Sequence, residues 1–295
     1  MQSLLRSLKK KLSNSIKLFC FGFGLSAQYL ARLLNKKNIK FELFGTSRSK
    51  INFKDKFIHQ FYYEDDHFDK NIFSVLQNAT HVLISTPPQL EKKIIHYFFD
   101  TLKNNKNLQW LGYLSSTSVY GNHQGEWVNE NSNTNPTSAT GIKRLEAEKL
   151  LLETNLPVRI FRLSGIYSKE RNVLQRLQLN QVKIPKSNNQ LFSRIHVEDI
   201  AEALFLSFTN SKKNEIYNIS DDHPCAYKEV IEYAAHLLKI TQLEEICIDE
   251  VQNGPGREFF QDSKKVSNDK IKKIGLVLKY PNYKEGLQSI FKQSK

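Results

Sequence analysis

The sequence predicts an α/β fold, a doubly wound parallel sheet, on three observations. Short apolar runs alternate with amphipathic segments from Ile16 to Leu163, a glycine-rich turn joins the first run to the first amphipathic segment, and the chain is large enough to bury a core. It has 295 residues, 40% hydrophobic and 25% charged. Such alternation is how βαβ units build a parallel sheet, and the composition excludes a disordered, collagen-like or disulfide-stapled chain.

Taken in order, Ile16–Phe21 reads as the first strand, and Leu25–Leu34 as a helix with Leu25, Tyr29, Leu30, Leu33 and Leu34 on one face. Strands follow at Phe41–Phe44, Phe57–Tyr62 and His81–Ser85, with a helix over Phe68–Leu76 before the last. Leu90–Leu102 is expected to be helical, Trp110–Leu114 a strand, Thr137–Thr154 a long helix and Val158–Leu163 a strand. Beyond residue 165 the rhythm loosens. Helices are expected at Arg171–Leu179, Val197–Phe208, Tyr227–Leu238 and Asn268–Ile274, and short strands at Ile216–Ile219 and Ile246–Ile248. The stretch from Asn122 to Ser138, dense in Asn, Gly, Ser and Thr, reads as a long loop after a parallel strand, where ligands bind in such folds. Three parts are therefore expected: a basic N-terminal extension over residues 1–15, a dinucleotide-binding domain over 16–165, and a small α+β substrate lobe formed mainly by 166–295, some of whose segments return to the sheet.

Residues 1–15 either fray or form a short basic amphipathic helix on Leu4, Leu5, Leu8 and Leu12. No secretory signal and no apolar stretch of membrane-spanning length is evident. The charge, 43 Lys+Arg against 30 Asp+Glu, is +13. It reads as solvated surface rather than a nucleic-acid footprint. Cys20, Cys225 and Cys247 are far apart and show no metal-ligand spacing, so no metal is expected, and a reducing, cytoplasmic setting is.

The turn Gly22-Phe23-Gly24-Leu25-Ser26-Ala27 has the form G-x-G-x-x-A between strand and helix. Gly22 permits the tight turn, Gly24 the approach of a pyrophosphate to the backbone and the N-terminus at Leu25, and Ala27 close helix–strand packing. The second strand runs into Gly45-Thr46-Ser47-Arg48 with no carboxylate to grip ribose hydroxyls. Arg48, with Thr46 and Ser47, is suited to a 2′-phosphate, so NADP is the expected cofactor, with NAD the alternative. Ser85, Thr86 and Pro87 at the end of the fourth strand either touch the cofactor or simply terminate the strand.

The run Leu114-Ser115-Ser116-Thr117-Ser118-Val119-Tyr120-Gly121, with Arg162-Leu163-Ser164-Gly165-Ile166-Tyr167 and Arg194-Ile195-His196-Val197-Glu198-Asp199, resembles the extended short-chain dehydrogenase/reductase superfamily, the NAD-dependent epimerase/dehydratases. The resemblance spans residues 16–291 and implies a Rossmann-type fold. It also implies an active-site hydroxyl at Ser116, working with a Tyr and a Lys spaced Y-x-x-x-K on the next helix. Those two positions hold Thr140 and Arg144. Thr140 has no acidic proton near neutral pH and Arg144 stays charged, so the usual dyad is absent. The segments Asn135–Arg144, Gly45–Arg48 and Ser85–Pro88 are similar to an atypical branch that keeps the fold without the tyrosine.

The resemblance implies an NADP-dependent oxidoreductase or epimerase-like enzyme acting on a carbohydrate-like or nucleotide-linked hydroxyl or carbonyl. The alternative is a catalytically degenerate NADP(H)-binding regulatory or assembly protein. Thr117, Tyr120 and Arg194 are candidate substrate residues, and Lys143 and Glu126 are further helpers. His196 and Asp199 read as structural, Asp199 as a first-turn acid. The expected partners are a small molecule, a sugar or nucleotide sugar, and a second copy of the chain in a homodimer, with no nucleic acid and no transmembrane segment.

Overall fold

Ile16–Phe21 (β1), apolar and buried on both sides but for Lys17, takes the centre of a largely parallel sheet. The computed structural model describes residues 15–185, 190–209, 212–246 and 262–294. The basic leader up to residue 14, Cys247 and the end of the strand expected at Ile246–Ile248 lie outside the described residues. After β1 come α1 (Leu25–Lys36), β2 (Phe41–Ser47), β3 (His59–Glu64), β4 (His67–Phe68), α2 (Asn71–Leu76), β5 (His81–Ile84), α3 (Glu91–Asn104) and β6 (Trp110–Ser116). A 3-10 turn at Thr117–Tyr120, β7 (Trp127–Val128), α4 (Ala139–Leu152) and β8 (Val158–Leu163) follow. The remaining elements are β9 (Gly165–Tyr167), α5 (Val173–Gln178), β10 (Ile184–Pro185), β11 (Leu191–Phe192), β12 (Arg194–His196), α6 (Val197–Ser207), β13 (Glu215–Ile219), β14 (Cys225–Ala226), α7 (Tyr227–Leu238), β15 (Glu245–Ile246), β16 (Lys265–Val266), α8 (Asp269–Lys273) and α9 (Tyr283–Gln293).

The eight-stranded sheet has the order β13-β8-β6-β5-β1-β2-β3-β4. β1 pairs in parallel with β2 on one side (Cys20 opposite Gly45) and with β5 on the other (Phe21 opposite Ile84). Chain order therefore reverses across β1, and the crevice at the carboxyl ends of strands beside such a reversal is where ligands of open α/β sheets bind.

The chain divides into two compact units drawn from interleaved segments. The first comprises residues 1–115, 143–161 and 200–217. Its core packs Phe19, Phe21, Val82, Ile84 and Tyr113 from the strands against Ile94, Phe98 and Leu102 of α3 and Ala147 and Leu151 of α4. Phe21 and Phe98 lie 5.1 Å apart between ring centroids, a spacing at which aromatic pairs attract beyond their buried area.

The second unit comprises residues 116–142, 162–199 and 218–295. Here α5, α7 and α9 surround Tyr167, Leu174, Leu177, Val230, Ile231, Tyr283, Leu287 and Ile290. Its sheets are short: β9 pairs in parallel with β12, β7 in parallel with β16, and β11 antiparallel with β14. The long loop expected from Asn122 to Ser138 is stitched down. It contains β7, and the His123 and Gly125 N–H groups both donate to the Ser263 carbonyl. Helix α9 had no counterpart in the sequence reading. No helix among the described residues is long and apolar enough to cross a membrane.

Candidate functional site

In the first unit the glycine turn is latched from both neighbouring strands. The Gly22 N–H donates to Thr46 Oγ1 at 2.8 Å and the Phe23 N–H to the Thr46 carbonyl at 3.0 Å. From the other side, Ser85 Oγ donates to the Gly22 carbonyl at 2.6 Å. Thr46 and Ser85, expected from the sequence as cofactor contacts, thus give their hydroxyls to the turn itself. Gly22 needs its permissiveness: its φ is +77°, and a β-carbon there would stand 3.0 Å from the Ser85 carbonyl oxygen.

Gly24 caps α1 with no side-chain hydrogen bond, and a β-carbon on it would meet nothing within 4 Å. The first-turn N–H groups, starting at Leu25, have no intrahelical acceptors, which suits an anion. Ala27 is fully buried. Thr86 is buried with a hydroxyl that has no hydrogen-bond partner among the described residues. An unpartnered buried hydroxyl beside a glycine turn is suited to a bound polar group. Pro87 is exposed and starts the turn into α3, its carbonyl accepting from the Leu90 N–H at 3.0 Å. Ser47 folds onto its own loop, exchanging hydrogen bonds with the Ser49 backbone at 2.6 and 3.1 Å. The Arg48 side chain is 70% exposed, and its nearest carboxylate, Glu64, lies at 3.8 Å.

Arg144, the residue expected at the dyad-lysine position, turns into this unit. Its guanidinium is hydrogen-bonded to Glu91, donates to the Leu114 carbonyl at 2.5 Å and reaches the Thr86 carbonyl at 3.4 Å. Nothing in the sequence pattern marked Glu91, because its burial depends on partners 22 and 53 residues away.

In the second unit Ser116 is half-buried and caps the 3-10 turn, its Oγ accepting from the Ser118 N–H at 3.1 Å. Thr117 opens that turn and is partly exposed. Tyr120, expected to line the substrate, is fully buried: its hydroxyl donates to Asn218 Oδ1 at 2.7 Å, and the Arg162 guanidinium lies 4.8 Å from the ring centroid. Burial also raises its phenol pKa above the ordinary value. Packing and a satisfied hydroxyl explain this tyrosine. Thr140 is exposed and shares a 3.2 Å hydrogen bond with Ser138 Oγ, and Lys143 and Glu126 are exposed.

Lys264, absent from the sequence reading, is buried and donates to the Gly121 carbonyl at 2.7 Å and to Asp262 at 3.0 Å, while Thr137 donates to the other Asp262 oxygen at 2.9 Å. These bonds tie the Ser116–Gly121 segment to the start of α4.

Arg194 is buried. One of its nitrogens donates to the Phe192 carbonyl and to Cys225 Sγ, both at 3.2 Å, while Nη2 has no partner among the described residues. No described carboxylate forms an ion pair with it. Asp221, whose backbone N–H donates to the Arg194 carbonyl, keeps one carboxylate oxygen unpartnered and has its pKa pushed up to about 7 by burial. Asp199 is a structural acid: its oxygens accept from the Lys279 and Tyr280 N–H groups at 2.7 and 3.1 Å. His196 accepts from the Glu198 N–H at Nδ1, and burial lowers its pKa to about 4. Among the described residues no cluster of His, Cys, Asp and Glu converges as a metal site.

Comparisons with known proteins agree with this architecture. Residues 90–220 match the NAD dependent epimerase/dehydratase family. A functionally unknown conserved protein from Silicibacter pomeroyi is similar at 33% identity over 95% of this chain and 99% of that one, with a TM-score of 0.83. The dTDP-glucose 4,6-dehydratase of Bacillus anthracis, solved in complex with NAD, has a TM-score of 0.77 at 14% identity over 95% of this chain and 96% of that one, a likeness of fold. Among curated proteins, the ADP-L-glycero-D-manno-heptose-6-epimerase of Brachyspira hyodysenteriae is 24% identical over 195 residues; the match covers 59% of this chain and only 59% of that relative's length. The family match gives the chain an NAD dependent epimerase/dehydratase family domain over residues 90–220, and the likeness of fold extends over 95% of the chain.

Proposed function

We propose that the chain is an NADP-dependent oxidoreductase of epimerase type, acting on a hydroxyl or carbonyl of a sugar or nucleotide-linked sugar without the usual Tyr-Lys dyad. The observation that carries this reading is the latched glycine turn, with the open side of Gly24, the uncapped start of α1 and the unpartnered Thr86 hydroxyl around it. A bound nicotinamide dinucleotide supplies the hydride chemistry. The chain's own residues bind and orient: the α1 N-terminus faces the pyrophosphate, and Arg48, held only by a surface ion pair, is free to turn to a 2′-phosphate.

The first unit is then the dinucleotide half and the second the substrate half. The Arg194 guanidinium, whose Nη2 has no partner among the described residues, supports an anionic substrate. The named relatives act on or are named for sugars joined to nucleotides, which supports that substrate class. A cytoplasmic setting goes with two buried, unpaired cysteines, Cys20 and Cys225, and a homodimer is the expected assembly, to be read by light scattering.

The test is direct. NADPH and NADH are titrated into the purified protein, and hydride transfer is followed at 340 nm against sugar-nucleotide and simple sugar panels. Tighter binding of NADPH with turnover on a nucleotide sugar is the expected result; no binding of either dinucleotide overturns the reading.

A second reading has its own observation. Arg144 is tied to Glu91 and two carbonyls, and Thr140 to Ser138, so neither dyad position presents a free acid or base. A positioned acid/base typically contributes roughly 10²–10⁴-fold in rate. Its loss favours an NADP(H)-binding regulatory or assembly protein. Tight NADPH binding with no turnover on any panel, together with capture of a protein partner that changes with NADPH, selects this reading.

A further inference from the structure

A buried polar network closes the carboxyl ends of β5 and β6 in the first unit. Glu91, the first residue of α3, is 1% exposed. One of its oxygens accepts from Arg144 and the other from the Tyr113 phenol at 2.6 Å. Arg144 also holds the carbonyls of Leu114 at 2.5 Å and Thr86 at 3.4 Å. One turn further along α4, Glu148 accepts from Ser115 at 2.5 Å. Burying a carboxylate is costly unless it is paired and hydrogen-bonded on both oxygens, and Glu91 is. Only a planar guanidinium has the fork of donors to serve a carboxylate and two carbonyls together; an ammonium is a point charge. Thr86 is the connection to the nucleotide turn, since its methyl lies 3.1 Å from where a β-carbon on Gly22 would stand.

We propose that Arg144 and Glu91 are positioning residues for the dinucleotide: together they fix the backbone of Leu114 and Thr86, and through Thr86 the wall of the glycine turn. The helix position that the family resemblance gives to a proton-relay lysine here shapes the cofactor cleft. This rests on the dinucleotide reading given above and adds a residue role to it.

The network responds to pH. Glu91 faces Arg144 and Glu148 from α4 and Tyr113 from β6. The neighbouring lysines of α3 point elsewhere, Lys92 to Glu146 and Lys93 to Asp65 and Asp66. Burial pushes the Glu91 carboxyl up to about 7, against the pull of Arg144 and Tyr113. Above that pH the pair is fully charged; below it the carboxyl is neutral and the hold on Arg144 weakens.

The experiment titrates NADPH into the unsubstituted full-length chain and into Glu91→Gln and Arg144→Lys at about pH 6 and about pH 8. The affinity ratio of unsubstituted protein to variant is taken at each pH, so that titration of the cofactor's own phosphate cancels. For Glu91→Gln the expected ratio is about tenfold at the higher pH and near one at the lower. Arg144→Lys, which keeps the charge without the fork, is expected to lose about fivefold at the higher pH. Ratios that do not change with pH, or variants that bind like the parent, overturn the positioning role. Failure of the unsubstituted protein to bind NADPH or NADH overturns the dinucleotide reading itself, and this proposal with it.

Discussion

At Gly22 the backbone turns through φ +77° with the Ser85 carbonyl oxygen and the Thr86 methyl 3.0 and 3.1 Å from where a β-carbon would stand. An L side chain in that region costs roughly 1–2 kcal/mol before any clash. Gly22→Ala is therefore expected to lower stability by about that amount and to weaken NADPH binding more than tenfold, checked by thermal unfolding and fluorescence titration. Arg48 is argued from exposure: its one carboxylate neighbour is distant and solvated, and such pairs contribute little. Arg48→Ala should then leave stability unchanged and cut the preference for NADPH over NADH about tenfold; an unchanged preference removes Arg48 from the site. The two residues differ in how readable they are. The glycines announce themselves because few other roles put G-x-G-x-x-A between strand and helix, whereas Thr46 and Ser85 read as ligand contacts and show no local sign that their hydroxyls also latch the turn. That distinction needs the register of β1 against β2 and β5, which no local pattern carries.

Among the elements, α7 was legible end to end because Val230, Ile231, Ala234 and Ala235 repeat at helical spacing and are buried together. Four of the strands of two or three residues were not: β7, β9, β12 and β16 are too short to show alternation, and what makes them strands is a partner far along the chain. Helix α9 carries a local signal at its start. Asn282 stands three residues before Glu285, the order of a capping box, and Tyr283, Leu287 and Ile290 share one buried face. Asn282 Oδ1 accepts from the Glu285 N–H at 3.0 Å, and its amide donates to the Glu285 carboxylate at 2.8 Å. Asn282→Ala should cost about 1 kcal/mol and Asn282→Ser much less, because Ser keeps an acceptor for the Glu285 N–H without setting a second carboxylate against Glu285. Equal losses in urea unfolding would show that the cap does not hold this helix.

For the whole molecule, opposing sets of buried groups govern the response to acid. His81 packs against Trp110 and Phe208, with ring centroids 6.1 and 4.4 Å away, and burial lowers its pKa to about 3; that of His196 falls to about 4. As the pH falls below the ordinary histidine value of about 6.5, the unfolded chain takes up protons that the folded chain refuses, so their stabilisation is lost, at up to about 1.4 kcal/mol per pH unit for each. Glu91 and Asp221, raised to about 7, and Asp199, raised to about 6, act the other way. Their folded forms take up protons before the unfolded ones do, so their contribution grows as the pH falls from about 7 and is lost as it rises again. Between about pH 6.5 and 6 the two sets nearly cancel, and from about pH 6 to 4.5 three acids oppose two histidines, so stability should hold or rise and fall only below about pH 4.5, as the unfolded carboxylates take up their protons while His81 still refuses one. Removing two of the compensating acids in Glu91→Gln/Asp221→Asn leaves the histidines opposed only by Asp199. The double variant should therefore begin to lose stability near pH 6.5, about two units above the parent, in urea unfolding followed across that range. The same acid onset in parent and variant would mean that these carboxylates are not the groups that offset His81 and His196.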